Sequence, residues 1–172
     1  MEYQNTDHTF AVCAYKESPY LESCIKSLMS QTVKSNIIVC TSTPCEFIEN
    51  MAKKYDLAYY VKEGKSDICD DWNFAVECTE TNYVTVAHQD DVYNEYYVEE
   101  MLKRIPDDKM SIFIVDYLPL KGGKVGKRDI NSKLRKVLRQ PMRVKKLANS
   151  KWWRRRILSL GNCICCPGVT YL

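Results

Sequence analysis

The first 116 residues alternate short apolar strands with amphipathic helices, and this alternation limits the possible folds more than any other feature of the sequence. The predicted strands are unbroken apolar runs rather than period-two patterns, which favours burial of both strand faces. They lie at residues 9–13, 36–40, 58–61, 83–87 and 111–115. Strands of this kind, separated by helices, predict an α/β fold whose mainly parallel sheet has helices on both faces.

Residues that commonly start helices follow the first three of these strands. Ser18 is predicted to cap the first helix, and Thr43 is predicted to open a capping box for the second. Ser66 or Asp67 should start the third helix, and residues 94–104 form the fourth. Because crossovers between parallel strands are right-handed, we expect the loops after the strands to meet at one edge of the sheet.

The fourth predicted strand runs directly into two adjacent acids, Asp90 and Asp91. Open α/β sheets bind their ligands beyond the carboxyl ends of the strands, which is where these carboxylates lie. Two ionised carboxylates repel each other unless a cation lies between them, usually a divalent metal that carries phosphate oxygens. The alternative is that Asp90 or Asp91 caps the next helix, and the pair alone does not decide between the two interpretations.

The overall composition indicates a single globular domain and excludes several other classes of protein. The length of 172 residues and the 45% content of hydrophobic residues are sufficient for one domain with a real core. No run of about 18 apolar residues occurs, so no membrane-spanning helix is expected. Residues 1–8 are polar and do not have the pattern of a signal peptide.

The nine cysteines do not have the pattern of a disulfide framework. An odd number leaves at least one thiol unpaired, and several cysteines fall inside predicted apolar elements, where Cys acts as a small hydrophobe. These are Cys13, Cys40, Cys69 and Cys78. The cluster of Cys163, Cys165 and Cys166 lacks a second pair of ligands at zinc spacing, so no metal site is expected there. We therefore expect a reducing, cytoplasmic setting.

The net charge of +3 conceals two regions of opposite charge. Residues 1–120 contain 10 Lys and Arg against 21 Asp and Glu, whereas residues 121–172 contain 15 against one. Eleven of these cations lie in residues 133–156, interspersed with apolar side chains and two Trp. Such a segment suits an interfacial helix on anionic lipid, and the alternative is a solvated helix pair with buried Trp. Nucleic-acid binding is not expected, because the rest of the chain is acidic and has no recognised nucleic-acid module.

Four segments resemble, in order, landmarks of glycosyltransferase family 2, whose members have a Rossmann-like GT-A fold. Residues 12–17 resemble the loop after the first strand, and residues 27–32 resemble the family's leucine–serine–glutamine helix end. Residues 72–75, Trp-Asn-Phe-Ala, resemble its Arg-Asn-x-Gly/Ala signature. Residues 88–91, His-Gln-Asp-Asp, resemble its Asp-x-Asp-Asp metal motif. The resemblance also extends loosely to residues 163–172.

The resemblance implies a nucleotide-sugar donor, with UDP as the expected nucleotide, and a divalent metal, Mn²⁺ or Mg²⁺, that neutralises its diphosphate. The expected metal ligands are Asp90, its neighbour Asp91, and His88, which occupies the position of the first acid of the motif. The residues implied to bind the nucleotide sugar are Ala14, Tyr15, Glu17, Thr41, Ser42, Asn73, Gln89 and Asp90. Three of these also have structural interpretations: Tyr15 as a core residue, Glu17 as a helix-start acid and Asn73 as a local cap.

Two departures from the family pattern affect the donor site. His88 replaces an acid, and a histidine there can bind metal or serve as a hydrogen-bonded turn residue. Thr41, Ser42 and Thr43 stand where the family usually has an Asp that contacts the base, so hydroxyl groups replace a carboxylate.

The resemblance further implies an inverting transfer in which a carboxylate, well after the metal motif, acts as general base for the acceptor. The expected organisation is a nucleotide-sugar-binding α/β region at residues 1–118 and a basic, incomplete acceptor-side region of the same domain at residues 119–172. Only one acid, Asp129, occurs in the second region. We therefore identify no catalytic residue and expect the base beyond Leu172, in a sequence shortened naturally or artificially.

Three functions follow from these observations. The first is an inverting, metal-dependent glycosyltransferase with a saccharide or lipid-linked acceptor, as in cell-envelope polysaccharide biosynthesis, located in the cytoplasm or peripherally at the inner face of the membrane. The second is a nucleotide-sugar-binding fragment or accessory subunit without a general base. The third is a nucleotidyltransferase-like enzyme, which normally needs a Gly-rich loop with Lys or Arg after the first strand, and residues 14–18 lack one.

Overall fold

A computed structural model of the chain describes residues 4–104, 112–164 and 168–172. The elements before residue 105 are β1 (Gln4–Cys13), α1 (Leu21–Met29), β2 (Lys34–Thr41), α2 (Glu46–Lys54), β3 (Ala58–Val61), α3 (Ile68–Glu77), β4 (Tyr83–His88) and α4 (Tyr97–Leu102). Those after residue 111 are β5 (Ile112–Ile114), β6 (Leu120–Lys121), β7 (Lys124–Val125), α5 (Ile130–Arg139), a 3-10 helix (Gln140–Arg143), α6 (Lys145–Ala148), α7 (Lys151–Ser159) and β8 (Val169–Tyr171).

Six of the strands form one sheet in the order β3-β2-β1-β4-β8-β5. Strand β1 lies parallel to β2 on one side and to β4 on the other, and β3 continues the parallel arrangement beyond β2. Strand β8 pairs with β4 in the antiparallel direction. The predicted α/β fold with a mainly parallel sheet is therefore confirmed, and the sheet has the Rossmann-like character of the GT-A fold.

The chain divides into two compact units. The first consists of residues up to Phe113 together with Val169–Leu172, and the second is Ile114–Gly168. The second unit contains a short hairpin of β6 and β7, whose turn needs the positive φ angles of Gly122 and Gly123, followed by α5, α6 and α7. No helix within the described ranges is long and apolar enough to cross a membrane.

Strand β1 is the centre of the core of the first unit. Its residues Phe10, Ala11 and Val12 are completely buried, as expected for a strand that has neighbours on both edges and helices on both faces. Phe10 makes edge contacts with Tyr93, while Ala11 belongs to a cluster on the other face that includes Ala75 of α3. Burial of one large apolar side chain contributes roughly 1.5–3 kcal/mol to the free energy of unfolding, so the burial of β1 stabilises the centre of the sheet.

Two predicted helix caps are wrong, because the side chains have partners elsewhere. Helix α1 begins at Leu21 rather than directly after Ser18, whose hydroxyl accepts a hydrogen bond from the Tyr20 amide in a turn before the helix. Helix α2 begins at Glu46 without a side-chain cap, since Thr43 instead accepts from the backbone amide of Lys16. By contrast, Asp67 caps α3 as predicted and accepts from two amides of its first turn.

Other boundaries also differ from the predictions. The fourth helix is shorter than predicted, because Asn94 forms a turn in which its side chain accepts from the Tyr96 amide. In the apolar C-terminal segment, Val169–Tyr171 form a strand, whereas the described residues 161–164 are irregular. Cys69 is exposed on the first turn of α3, contrary to prediction, whereas Cys40 is buried. Cys165 and Cys166 of the cysteine cluster lie outside the described residues.

A buried histidine joins three strands of the first unit. The ring of His8 on β1 forms hydrogen bonds with Ser35 Oγ of β2, at 2.9 Å, and with Thr85 Oγ1 of β4, at 2.8 Å. Burial lowers the pKa of His8 to about 3, against the opposing effect of the Asp7 carboxylate. His8 is therefore neutral in the folded protein, while the same side chain in the unfolded chain has an ordinary pKa near 6.5.

We expect this histidine to make the fold acid-sensitive. Below pH 6.5 the His8 ring binds a proton in the unfolded chain, whereas in the folded protein it does so only near pH 3. The free energy of unfolding therefore falls as the pH decreases through this window. Between pH 6.5 and pH 5 the contribution of His8 amounts to about 2 kcal/mol. Urea unfolding of the wild type and of His8→Gln at both pH values should show a smaller pH-dependent loss in the variant. Equal losses in both proteins would contradict the assignment.

Candidate functional site

A cavity of about 390 Å³ lies in the first unit, at the edge where β1, β2 and β4 end. Its volume is within the range of small-molecule sites in proteins. The loops after these strands therefore meet, as predicted from the parallel topology. Of the predicted site residues, those that line the cavity are Ala14, Tyr15, Thr41, Ser42, His88, Gln89 and Asp90.

The side chain of Gln89 joins the loop after β4 to the loop after β1. Its amide nitrogen donates to the carbonyl oxygen of Tyr15 at 2.8 Å, and its amide oxygen accepts from the Tyr15 backbone amide at 3.0 Å. Two hydrogen bonds of opposite direction hold the backbone in one orientation, which leaves the Tyr15 ring exposed beside the cavity. We refer to this pair of hydrogen bonds as the Gln89–Tyr15 clamp.

The loop after β2 also holds the backbone of the loop after β1. Thr43 Oγ1 accepts from the Lys16 amide at 2.8 Å, and Thr41 Oγ1 accepts from the Thr43 amide at 3.0 Å. Lys16 has a positive φ of 54°, a conformation that residues other than glycine adopt at some cost. The hydrogen bond that the Lys16 amide donates to Thr43 Oγ1 stabilises this turn, so the loop after β1 has a defined shape before any ligand binds.

The two acids and the histidine after β4 are close enough to share one cation. Ligand atoms of His88, Asp90 and Asp91 all lie within 4.8 Å of one another. Burial, and secondarily the nearby Asp90 carboxylate, raises the pKa of Asp91 to about 6. A group of two carboxylate oxygens and an imidazole nitrogen suits a divalent cation, which would relieve this repulsion. These residues therefore fit the metal that the family motif implies.

His88 is poised to remain neutral. Its ring lies 5.0 Å from that of Trp72, centroid to centroid, and burial lowers its pKa although the charge of Asp90 opposes the shift. A neutral imidazole keeps one nitrogen lone pair, which is the form that binds metal ions. The backbone carbonyl of His88 accepts hydrogen bonds from the Asp91 amide and the Cys24 thiol, so the turn that carries the acids is fixed.

The first turns of α3 form a further wall of the cavity, which is not among the predicted site residues. Asp67 and Asp71 line it with Ser66, whose hydroxyl donates to the Asp71 carboxylate, and with Trp72 and Phe74 further along. The position of this wall could be predicted from the topology, because a helix that follows a parallel strand begins at the edge of the sheet where that strand ends. Asp67 is predicted only as a cap, yet the same position brings α3 to the site.

Glu17 and Asn73 do not line the cavity. Glu17 is exposed in the loop after β1, and Asn73 is exposed on α3 next to Trp72. The structure brings together the other predicted residues, while the roles of these two stay predictions. Asp91 also lies outside the cavity lining but is adjacent to it through His88 and Asp90.

The family model of Glycosyl transferase family 2 matches residues 9–161, which is most of the chain. No curated protein sequence matches. Among solved structures, S. aureus TarS 1-349 is similar with a TM-score of 0.58 at 15% identity, over 72% of this chain and 39% of that chain. Glucosyl-3-phosphoglycerate synthase from Mycobacterium tuberculosis, in complex with UDP, is similar with a TM-score of 0.61 at 12% identity, over 96% of this chain and 56% of that chain.

A third similar structure is the mannosyltransferase PcManGT from Pyrobaculum calidifontis in complex with GDP-Man and Mn²⁺. Its TM-score is 0.50 at 16% identity, over 62% of this chain and 34% of that chain. At these identities the similarity shows a common fold. The chain spans between about a third and just over half of the length of these three proteins.

The raised pKa of Asp91 gives a direct test of the site. In the protein without added metal, carbon-detected NMR should show the Asp91 carboxyl group titrating near pH 6. Asp90→Asn removes the nearby charge and should lower this pKa only in part, since burial is the larger cause. An Asp91 pKa near 4 in the wild type would contradict the described packing of this turn.

Proposed function

The chain belongs to glycosyl transferase family 2, and from this premise we propose that its cavity binds the donor of a glycosyl transfer, a nucleotide sugar with UDP as the nucleotide. The observation that carries the proposal is the position of His88, Asp90 and Asp91 at the end of a preformed cavity of suitable size. Two of the structurally similar proteins were solved with UDP-sugars: TarS with UDP-GlcNAc and the mycobacterial synthase with Mn²⁺ and UDP-Glc.

Each part of the cavity suits a different part of this donor. The exposed ring of Tyr15 provides a surface against which a base can stack, and Ser42 adds a hydroxyl group to the cavity lining. The buried Thr41 shapes the same loop, because its hydroxyl accepts from the Thr43 amide. Asp67 and Asp71, which also line the cavity, can accept hydrogen bonds from N–H groups of the base or from ribose hydroxyls. Glu17 and Asn73 stay proposed contacts of the ribose and of a sugar hydroxyl.

The proposed cofactor is a divalent cation, Mn²⁺ or Mg²⁺, held by Asp90 and Asp91 with His88 as a further ligand. When bound, such a cation neutralises the charge that develops on a departing diphosphate. The part played by the chain is to hold the two carboxylates together on a fixed turn and to keep the imidazole neutral. The Gln89–Tyr15 clamp keeps the base-binding loop next to these ligands.

The proposed acceptor is a saccharide or a lipid-linked sugar, and the proposed stereochemical course is inversion, as in synthesis of cell-envelope polysaccharide. The two acids of residues 114–172 are already engaged within the second unit. Partial burial would raise the pKa of Asp116, but its ion pairs with Arg128 and Arg139 together lower it. Asp129 caps α5. We therefore assign neither as the base that activates the acceptor hydroxyl.

This engagement favours a second candidate function, in which the chain binds a nucleotide sugar without transferring it. Release of UDP from UDP-glucose and UDP-GlcNAc in the presence of Mn²⁺, with and without sugar acceptors, distinguishes the two. Turnover that Asp90→Asn abolishes supports the transferase, whereas tight binding without turnover supports the second function.

Metal-dependent nucleotide binding should depend on Asp90. Isothermal titration with UDP should show binding in Mn²⁺ that weakens about tenfold or more in Asp90→Asn, because a carboxylate ligand to the cation is lost. The matched control is Asp70→Asn, an exposed acid on the first turn of α3 that does not line the cavity. This control should bind UDP as the wild type does. Equal affinities for wild type and Asp90→Asn would remove the basis of the metal assignment.

The Gln89–Tyr15 clamp should also contribute to nucleotide affinity. Gln89→Met keeps the length of the side chain but removes both hydrogen bonds, so the loop must be ordered when the nucleotide binds. We expect UDP affinity in Mn²⁺ to fall roughly fivefold to tenfold, from the loss of hydrogen bonds that contribute about 1 kcal/mol. Gln140→Met, an exposed position of the second unit, is the control. Wild-type affinity in Gln89→Met would show that the clamp has no part in binding.

A further inference from the structure

Helix α5 exposes its apolar side chains. Ile130, Leu134 and Val137 follow the i, i+4, i+7 spacing of one helix face, and they are 84%, 56% and 64% exposed. We call these three residues the α5 stripe. A surface helix of a globular protein normally directs such a stripe towards the core.

The opposite face of α5 is polar and faces inward. Ser132 is buried, and its hydroxyl forms a hydrogen bond of 2.9 Å with that of Tyr117. Arg139 is mostly buried in an ion pair with Asp116 and donates to the backbone carbonyl of Cys163. These contacts fix the rotation of the helix about its axis, so the α5 stripe cannot turn inward without breaking them.

The charges around the α5 stripe are almost all positive. Lys133 and Arg135 on the same helix are exposed, Lys136 is exposed but lies 3.9 Å from the Asp116 carboxylate, and the sequence contains no Asp or Glu after Asp129. A surface that combines exposed apolar groups with cations is complementary to one that is apolar and anionic. Two copies of this face would bring their cations together, which disfavours association of the chain with itself.

Helix α7 repeats this combination of side chains. Trp152 is 63% exposed and packs edge to face against Trp153, with ring centroids 4.9 Å apart. Three exposed arginines, Arg154, Arg155 and Arg156, follow directly. Indole rings favour the boundary between lipid headgroups and acyl chains, and guanidinium groups bind phosphate oxygens.

From these observations we propose that the α5 stripe is a docking face for an anionic lipid bilayer. The helix lies in the interface with Ile130, Leu134 and Val137 among the upper acyl groups, while the neighbouring cations contact headgroup phosphates. The phosphates of a nucleic acid could bind the cations, but they would leave the apolar α5 stripe in water. An anionic bilayer would bind the cations and also bury the stripe. The proposal does not depend on the proposed donor site, because neither α5 nor α7 contributes to that cavity.

Vesicle co-sedimentation with the whole chain tests the apolar part of the proposal. The wild type should bind vesicles of phosphatidylcholine with 30% phosphatidylserine and should not bind pure phosphatidylcholine vesicles. Leu134→Gln with Val137→Gln should weaken the binding at least tenfold, while Gln preserves helix propensity. The control is Val76→Gln, an exposed valine of α3 in the first unit. Circular dichroism confirms that each variant is folded.

The charge part has its own pair of variants. Lys133→Gln with Arg135→Gln should weaken binding to the anionic vesicles by about fivefold for each charge removed. Lys62→Gln with Lys65→Gln removes the same charge from the first unit and should leave the binding unchanged. Increasing the salt to 0.5 M should weaken wild-type binding.

Three results would overturn the proposal. The first is binding to anionic vesicles that does not change in Leu134→Gln with Val137→Gln. The second is a dimer, seen by analytical ultracentrifugation, that this same variant dissociates, since the stripe would then be an interface between copies. The third is salt-sensitive binding to an RNA or DNA oligonucleotide that exceeds vesicle binding and needs the cations but not the stripe.

Discussion

The position of β1 between two parallel neighbours is the constraint on which the site depends. Because β2 and β4 both run parallel to β1, the carboxyl ends of three strands meet at one edge. The complete burial of Phe10, Ala11 and Val12 prevents β1 from changing register. The hydrogen bonds of Gln89 and Thr43 to the loop after β1 can therefore form between residues that lie 27 to 74 positions apart in sequence.

The acid pair is stable in this fold only at an energetic cost. Asp90 and Asp91 lie on a turn whose carbonyl and amide groups are already bonded, so they cannot move apart easily. The raised pKa of Asp91 expresses this cost, since a carboxylate there is less stable than in water. A divalent cation held by both carboxylates would remove the repulsion and gain two anionic ligands. The burial and repulsion that make the ionised pair unfavourable alone would thus favour binding of a cation.

The strands could be predicted from sequence because a short unbroken apolar run, bounded by polar residues, is typical of a strand buried on both faces. Helix starts were harder to predict, since Ser18 and Thr43 have the right chemistry for caps but form contacts with other segments. The acids after β4 can be predicted from their position at the end of a strand. The contribution of Asp67 and Asp71 to the cavity could be predicted only from knowledge of where α3 begins in the fold. The outward stripe of α5 could not be predicted, because periodicity gives the spacing of a face and not its direction.

Opposite charges separate the two proposed activities along the chain. Residues 1–120 carry a net charge of −11, and Asp67, Asp71 and Asp90 line the cavity, so a free diphosphate is repelled from it. A bound cation reverses the sign of the field at one end of the cavity, where the proposed ligands lie. The cations of α5 and α7 do not line the cavity, so they do not contribute directly to its lining charge. Their field is available for an anionic surface, and the exposed apolar side chains beside them favour lipid over a soluble polyanion.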